Sequence, residues 1–374
     1  MANKNGKAAD KKQTKRNGKK SAQGSSRVGM WLRGFLLLFL LGVAAGGIAF
    51  WSAQNALIQP LELPVDGLRM DVESGSNLSR VLARLESDGV LRSPLWVRLY
   101  ARVKGQTSIH PGEYMVPAGS NAMDLVARLN RGDVTRYRVT IVEGWTFQQA
   151  LSQIRNSNKI RQTEAAATVD AAARALGIEG NPEGRIFPDT YIYRSGASDL
   201  DLLRQASERM DSVLAQEWEN RAENLPYKDA YEALIMASIV EKETGVPWER
   251  DEIAGVFVRR LDRGMRLQTD PTVIYGLGED YDGNLRRADL RNATPYNTYV
   301  IGGMPPTPIA LPGREAIHAA LNPKEGNSLY FVAKGDGSHH FSSTLNEHNR
   351  AVREYQLKRR SDYRSSPVQN KDSN

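Results

Sequence analysis

Gly34 to Trp51, GFLLLFLLGVAAGGIAFW, is a run of eighteen residues without a charge. At 1.5 Å per residue a helix of that length spans about 27 Å, close to the hydrocarbon thickness of a bilayer. Trp31 and Trp51 stand at its two ends, where interfacial aromatic side chains belong. Before it the chain is strongly basic: residues 1–33 hold ten Lys/Arg and a single acid, Asp10. Little positive charge comes directly after it, and by the positive-inside rule that asymmetry keeps the N-terminus cytoplasmic. The run is longer than the 7–15 residues of a secretory h-region, so a retained anchor is expected rather than a cleaved leader.

The charge distribution also decides a second question. The whole chain of 374 residues carries +7, and its first 33 residues carry +9. The other residues are therefore slightly acidic in sum, and no nucleic-acid partner is expected of them. The basic arm itself reads as a tail facing anionic lipid headgroups. With 40% hydrophobic and 25% charged residues the chain has the composition of a folded protein. Cysteine is absent, which removes disulfides, thiol nucleophiles and Cys-ligated metal.

Beyond a Pro-containing segment, Val72-Glu-Ser-Gly-Ser-Asn-Leu-Ser-Arg-Val-Leu-Ala-Arg-Leu85 matches Val116–Leu129 at seven of fourteen positions. A fainter third copy begins at Val142-Glu-Gly-Trp-Thr-Phe. Each copy predicts a strand end, a Gly turn, a Ser or Thr N-cap and an amphipathic helix. In the first copy Leu78, Val81, Leu82 and Leu85 fall on one helical face. Further along, Thr146 to Ala222 reads as mainly helical with a break at Gly177–Asp189. A helix is expected over Lys228–Thr244, another up to Arg263, and a third over Gly313–Leu321. Strands are expected at Tyr330–Ala333 and His339–Phe341.

The helix ending Ala237-Ser-Ile-Val-Glu-Lys-Glu-Thr244 is apolar almost all round before it meets acids. Glu241 lies four residues after Ala237 and seven after Leu234, so its carboxyl continues an apolar stripe. Desolvation there raises an acid's pKa towards the range useful for protonating a leaving group. Glu243 bears a similar relation to Ile239 and Met236, so periodicity does not choose between the two. His339, His340 and His348 lie close in sequence without a metal-ligand spacing, and no metal or cofactor is expected.

These residues carry a resemblance. Ala237–Thr244, Val256–Gly276 with its Gln268-Thr-Asp-Pro-Thr272, Thr294-Pro-Tyr-Asn-Thr-Tyr299 followed by Gly303-Met-Pro-Pro306, and Gly337–Thr344 with Glu347-His-Asn349 resemble the motifs of the YceG-like family of endolytic murein transglycosylases. The resemblance spans residues 65–357. Departures such as Thr269 for the usual Ser and Arg259 for the common Asn leave the Glu241 position intact. The strand–turn–helix copies resemble the LysM module, which binds N-acetylglucosamine-containing glycans; packing of a small domain explains them equally well.

The resemblance implies an α+β fold in a fixed order. A basic tail (1–30), a transmembrane helix (31–52) and a stalk (53–67) precede a LysM-like domain (68–140). A mainly helical catalytic domain with short strands (141–360) and a disordered tail (361–374) come next. It further implies an enzyme of the cytoplasmic membrane that faces outward and cleaves the bond between N-acetylmuramic acid and N-acetylglucosamine. The products are 1,6-anhydro ends, and cleavage sets strand length. On this resemblance Glu241 is the catalytic acid and base. Gln268, Asp270, Thr272, Tyr296, Asn297, Thr298 and Tyr299 bind sugar, and Glu243 and His339 support the acid from behind. Glycan strands and the penicillin-binding synthases are the implied partners. Pro271 is expected to stiffen a loop that holds Gln268, Asp270 and Thr272. Two other readings remain: a non-catalytic glycan-binding scaffold, and an anchored metalloprotease, disfavoured by the missing motif.

Overall fold

The structure, a computed structural model, describes residues 25–357, with side chains from residue 30 onward. The predicted basic tail lies outside them up to residue 24, and the predicted 361–374 tail lies outside them entirely. The chain is a mixed helix and strand protein. It opens with α1 (Ser25–Ile58), whose segment from Met30 is long and apolar enough to cross a membrane and has none of its most apolar window buried. The helix continues through Ile58, so the first six residues of the predicted stalk are helical. Ser52-Ala-Gln-Asn-Ala-Leu57 contains no Pro or Gly to stop it, and Pro60 is the first breaker.

The chain divides into two compact units. One runs up to Pro111 and includes Met115–Asp133; the other takes Gly112–Tyr114 and continues from Val134. In the first, β1 (Leu68–Val72) leads to α2 (Leu78–Ser87) and α3 (Pro94–Val103), and α4 (Ala122–Arg131) comes later. Between α3 and α4 runs β2 (Gly112–Val116), the strand paired with β1, whose first three residues fall in the second unit. The predicted face of α2 is the buried one: Leu78, Val81, Leu82 and Leu85 are all inside.

In the second unit β3 (Arg136–Thr140) is followed by α5 (Phe147–Arg155) and α6 (Val169–Ala175). Next comes β4 (Thr190–Arg194), antiparallel to β3, with Tyr137 opposite Tyr193. This strand was hidden inside the region read as mainly helical. Its Thr-Tyr-Ile-Tyr-Arg alternation covers five residues, too few for period 2 to stand out before α7 (Asp199–Glu219). β3, β4, α5 and the start of α7 enclose Phe147, Leu151, Ile154, Ile186 and Leu203.

The three repeat copies are one local structure. Gly75, Gly119 and Gly144 take φ of +81°, +82° and +76°, and each stands two residues before a helix cap. That left-handed turn suits Gly because a Cβ would be strained there. The caps of the first two copies are Asn77 and Asn121, not the Ser before each. Asn77 Oδ1 accepts from Arg80 N at 2.9 Å and Asn121 Oδ1 from Asp124 N at 3.0 Å. In the third copy Thr146 caps α5, with Gln149 returning the bond.

The rest of this unit is built around α8 (Ala230–Glu243). Asp229 caps it by accepting from Glu232 N at 2.9 Å, and Ala233 to Val240 are all buried. Thr244 turns extended and ends it, with Gly245 and Pro247 beyond. Against α8 pack α9 (Arg250–Asp262) and, after α10 (Asp270–Leu277), α11 (Arg314–Leu321). β5 (Tyr330–Ala333) and β6 (His339–Ser342) form a hairpin, Ala333 opposite His339, and α12 (Leu345–Val352) comes after it. A helix that is apolar almost all round has no solvent face to lose until its last turn. Its acids therefore emerge at the edge of the core.

Candidate active site

The last turn of α8 carries Glu241, Lys242 and Glu243. Two residues apart on a helix means a rotation of about 200°, so the two acids leave on opposite sides. Their surroundings differ accordingly.

Glu243 lines a cavity of about 490 Å³. Gln268, Asp270, Tyr299 and His339 line it too, together with Arg260 and the aromatic rings of Tyr330 and Phe331. The Thr269 hydroxyl donates to Glu243 Oε1. Burial pushes the Glu243 carboxyl up to about 7, assisted by the negative charge of Asp270 and opposed by the Thr269 hydrogen bond and Arg260. An acid with that pKa holds a transferable proton near neutral pH and can take it back.

The wall opposite is built by the segment entering α10. Gln268 has φ +51°, a left-handed backbone unusual for a residue with a Cβ, and its N–H donates to Thr298 O at 3.2 Å. Pro271 stands in the first turn of α10, so Asp270 and Thr272 are helical rather than part of a loop. Proline's fixed φ and missing N–H suit that first turn. Asp270 accepts from the Tyr299 hydroxyl at 2.6 Å, which fixes both side chains at the rim.

Other residues expected to bind sugar are held inside. Thr272, Asn297 and Thr298 are fully buried. Thr272 Oγ1 lies 2.9 Å from Thr298 Oγ1, and Thr298 Oγ1 accepts from Thr269 N at 3.1 Å. Asn297 Nδ2 donates to the carbonyls of Asn292 (2.7 Å) and Asp289 (3.0 Å), and its Oδ1 accepts from Tyr299 N. Their hydrogen-bonding capacity is spent on the scaffold. Tyr296 is half-buried, with its hydroxyl 2.8 Å from Thr307 Oγ1 and its ring 5.0 Å from that of Tyr275, away from the cavity wall. These four carry the segment that presents Gln268, Asp270 and Tyr299.

His339 stands on the cavity wall with its N–H and Nδ1 on the two oxygens of buried Glu249, at 3.0 and 2.8 Å. His340 leaves the other face of β6, as alternation along a strand requires, and its ring packs on Tyr355 at 5.7 Å. Glu249 was not singled out from the sequence. It sits in a short turn with no periodic signal, and only the fold brings it ninety residues along the chain to His339.

Glu241 faces elsewhere. Its Oε2 accepts from the Gly313 N–H at 3.0 Å, at the N-terminus of α11. Glu143, from the third repeat turn, crowds the same glycine: a Cβ on Gly313 would meet the Glu143 carboxylate. Burial raises the Glu241 pKa and Glu143 raises it further, while the Gly313 bond lowers it. Lys242 reaches Gly144 O at 3.1 Å. This side of the helix is a joint between the repeat turn and α11. Glu143 is the second acid that sequence spacing did not reveal.

A profile of the YceG-like family matches residues 70–354. Among characterised proteins, the chain is similar to the endolytic murein transglycosylase of Bacillus subtilis, with 28% identity covering 80% of this chain and 88% of that one. It is also similar to the endolytic murein transglycosylase of Streptococcus pneumoniae D39, with 27% identity covering 85% of this chain and 64% of that one. A solved structure, the yceG-like protein lmo1499 of Listeria monocytogenes, aligns with a TM-score of 0.48 at 27% identity over 76% of this chain and 98% of the other.

Proposed function

We propose, starting from the fact that this chain belongs to the YceG-like family, that it is an endolytic murein transglycosylase whose reacting acid is Glu243. The observation that carries the assignment is the place of the Glu243 carboxyl, on the wall of a cavity shared with Gln268, Asp270, Tyr299 and His339.

The reaction balances on this one carboxyl. Protonated Glu243 gives its proton to the oxygen linking N-acetylmuramic acid to N-acetylglucosamine as the bond from C1 to that oxygen breaks. The muramoyl 6-hydroxyl attacks C1, and its proton passes to the Glu243 carboxylate as the 1,6-anhydro ring closes. The nucleophile is part of the substrate, so the second carboxylate of ordinary glycosidases has no task. The Thr269 hydroxyl steadies Glu243 in its charged form between the two transfers. Asp270, Tyr299 and Gln268 offer hydrogen bonds to sugar hydroxyls, while the Tyr330 ring is stacked on His348 and carries the Arg260 guanidinium.

Glu241 remains the competing acid, because its pKa is also raised. Mass spectrometry of purified glycan strands separates the readings. Loss of anhydro ends with Glu243→Gln and their retention with Glu241→Gln supports the assignment; the reverse transfers it to Glu241. Strands bound but uncut by the parent protein would mean a wall-binding scaffold.

The exposed apolar stretch of α1 supports a single-pass anchor, and the basic residues preceding it support a cytoplasmic N-terminus. The catalytic unit then works outside the cytoplasmic membrane. Held there, it meets strands as the synthases extend them, and cleavage sets their length. The β1–α2–α3–β2 order with its Asn-capped repeat supports a LysM-like, glycan-holding role for the first unit.

A further inference from the structure

Helix α3 carries an apolar stripe that nothing in its own unit covers. Val97 and Ala101 face inward and are fully buried. On the opposite face Leu95, Leu99 and Val103, spaced by four residues, are 57%, 42% and 84% exposed. Basic side chains edge this stripe: Arg98 and Arg102 on the helix and Lys104 at its cap, all exposed. Among the described residues none of the three makes an ion pair, so their charge is free for an external partner.

The position of this helix says what that partner is. Trp96, on the other edge of the stripe, donates its indole N–H to Ser52 Oγ at 3.2 Å. Ser52 is the residue directly after Trp51, where the strongly apolar run gives way to the polar Ser52, Gln54 and Asn55. Ser93, the N-cap of α3, and the residues just before it also line one groove with Trp51, Ser52 and Asn55. An amphipathic helix with an apolar stripe, a basic edge and a Trp is thus joined to α1 at the residue after Trp51, towards the C-terminal end of its apolar segment.

We propose that α3 is an interfacial helix: Leu95, Leu99 and Val103 enter the acyl boundary of the membrane that α1 crosses, and Arg98, Arg102 and Lys104 meet its anionic headgroups. Apolar insertion combined with basic flanks is the physical basis of such binding, and each basic residue near an anionic surface contributes. The inference rests on reading α1 as membrane-spanning. Its consequence is that the first unit is held against the lipid surface by two contacts, not by a free stalk.

The absence of cysteine makes the test clean. Single-cysteine variants of the full chain, Leu99→Cys, Leu40→Cys and Ser87→Cys, are spin-labelled in vesicles of phosphatidylethanolamine and phosphatidylglycerol. Accessibility to oxygen is compared with accessibility to a water-soluble nickel chelate. The labels at 40 and 99 should favour oxygen, and the label at 87, exposed on α2, should favour nickel. A label at 40 in lipid with the label at 99 in water overturns the proposal and leaves the anchor standing. A label at 40 in water overturns the anchor reading itself. Spin–spin broadening between labels at 99 would mean that a second copy covers the stripe, and would also overturn the proposal. In the labelled Leu99→Cys chain, adding Arg98→Glu and Arg102→Glu should shift the label towards water; no shift would overturn the role assigned to the basic edge.

Discussion

The two sides of the last turn of α8 hold the same chemical group in two different settings. Glu243 looks onto a cavity with sugar-sized room, polar side chains and a hydroxyl donor. Glu241 looks onto a backbone N–H and a neighbouring carboxylate, in a joint between the third repeat turn and α11. Both pKa values rise, and burial is the main cause for each. A raised pKa therefore does not identify the working acid. What separates the two is access for a substrate beside one of them.

The largest expected effect breaks or keeps that comparison outright. Glu243→Gln should lower the rate of anhydro-end formation by about 10²–10⁴-fold, the usual contribution of general acid–base catalysis. Glu241→Gln should keep most activity, because its amide oxygen still accepts from Gly313. Rates by mass spectrometry decide it, and the opposite ranking ends the assignment to Glu243.

The second effect is on pH dependence. The folded-state pKa of Glu243 lies above its unfolded value of about 4.5, so the native state binds more protons between about pH 4.5 and 7. Its contribution is fully present below about 4.5 and is lost as pH rises through about 7. The stability of Glu243→Gln relative to the parent should grow across that window, towards ~3 kcal/mol. Denaturant unfolding at several pH values measures the gap, and a gap independent of pH would mean the carboxyl is not held in its neutral form. The kcat/KM of the parent should fall above about pH 7, where the acid loses its proton.

Smaller effects test the rims. Tyr299→Phe removes the hydroxyl bound to Asp270 and should cost about 1 kcal/mol, seen in KM for glycan more than in folding. An unchanged KM would place the sugar elsewhere. The smallest effect belongs to the other side of the helix. Glu143→Gln should lower the Glu241 pKa by removing a like charge, with activity unchanged. Carboxyl titration by NMR tracks it, and a fall in activity would tie Glu241 to the chemistry.

Much of this arrangement was legible in the sequence, for a physical reason. Helical periodicity, caps and breakers are local. The core face of α2, the bounds of α8 to within two residues, and the hairpin of β5 and β6 arise from neighbours a few positions apart. The repeat was legible because each copy needs the same left-handed turn ahead of its helix. Even so, Asn rather than Ser takes the cap in two copies, since both side chains can accept from the same backbone N–H. The strand β4 and the helical start at Pro271 escaped, being shorter than the window in which a period declares itself.

The sequence by itself determined that this chain has an apolar helix near one end, a repeated strand–turn–helix unit, and a buried helix ending in two acids. Which acid meets a cavity was decided only by the tertiary structure. Periodicity states the angle between Glu241 and Glu243, about 200°, but not what lies in each direction. That depends on Thr269 and Gln268, twenty-five or more residues later, and on Glu143 and Gly313, about a hundred before and seventy after. The same holds for the His339 and Glu249 pair, joined across ninety residues. Burial and like charge shift a carboxyl only once distant segments have closed around it, so the chemistry of the site belongs to the packed molecule.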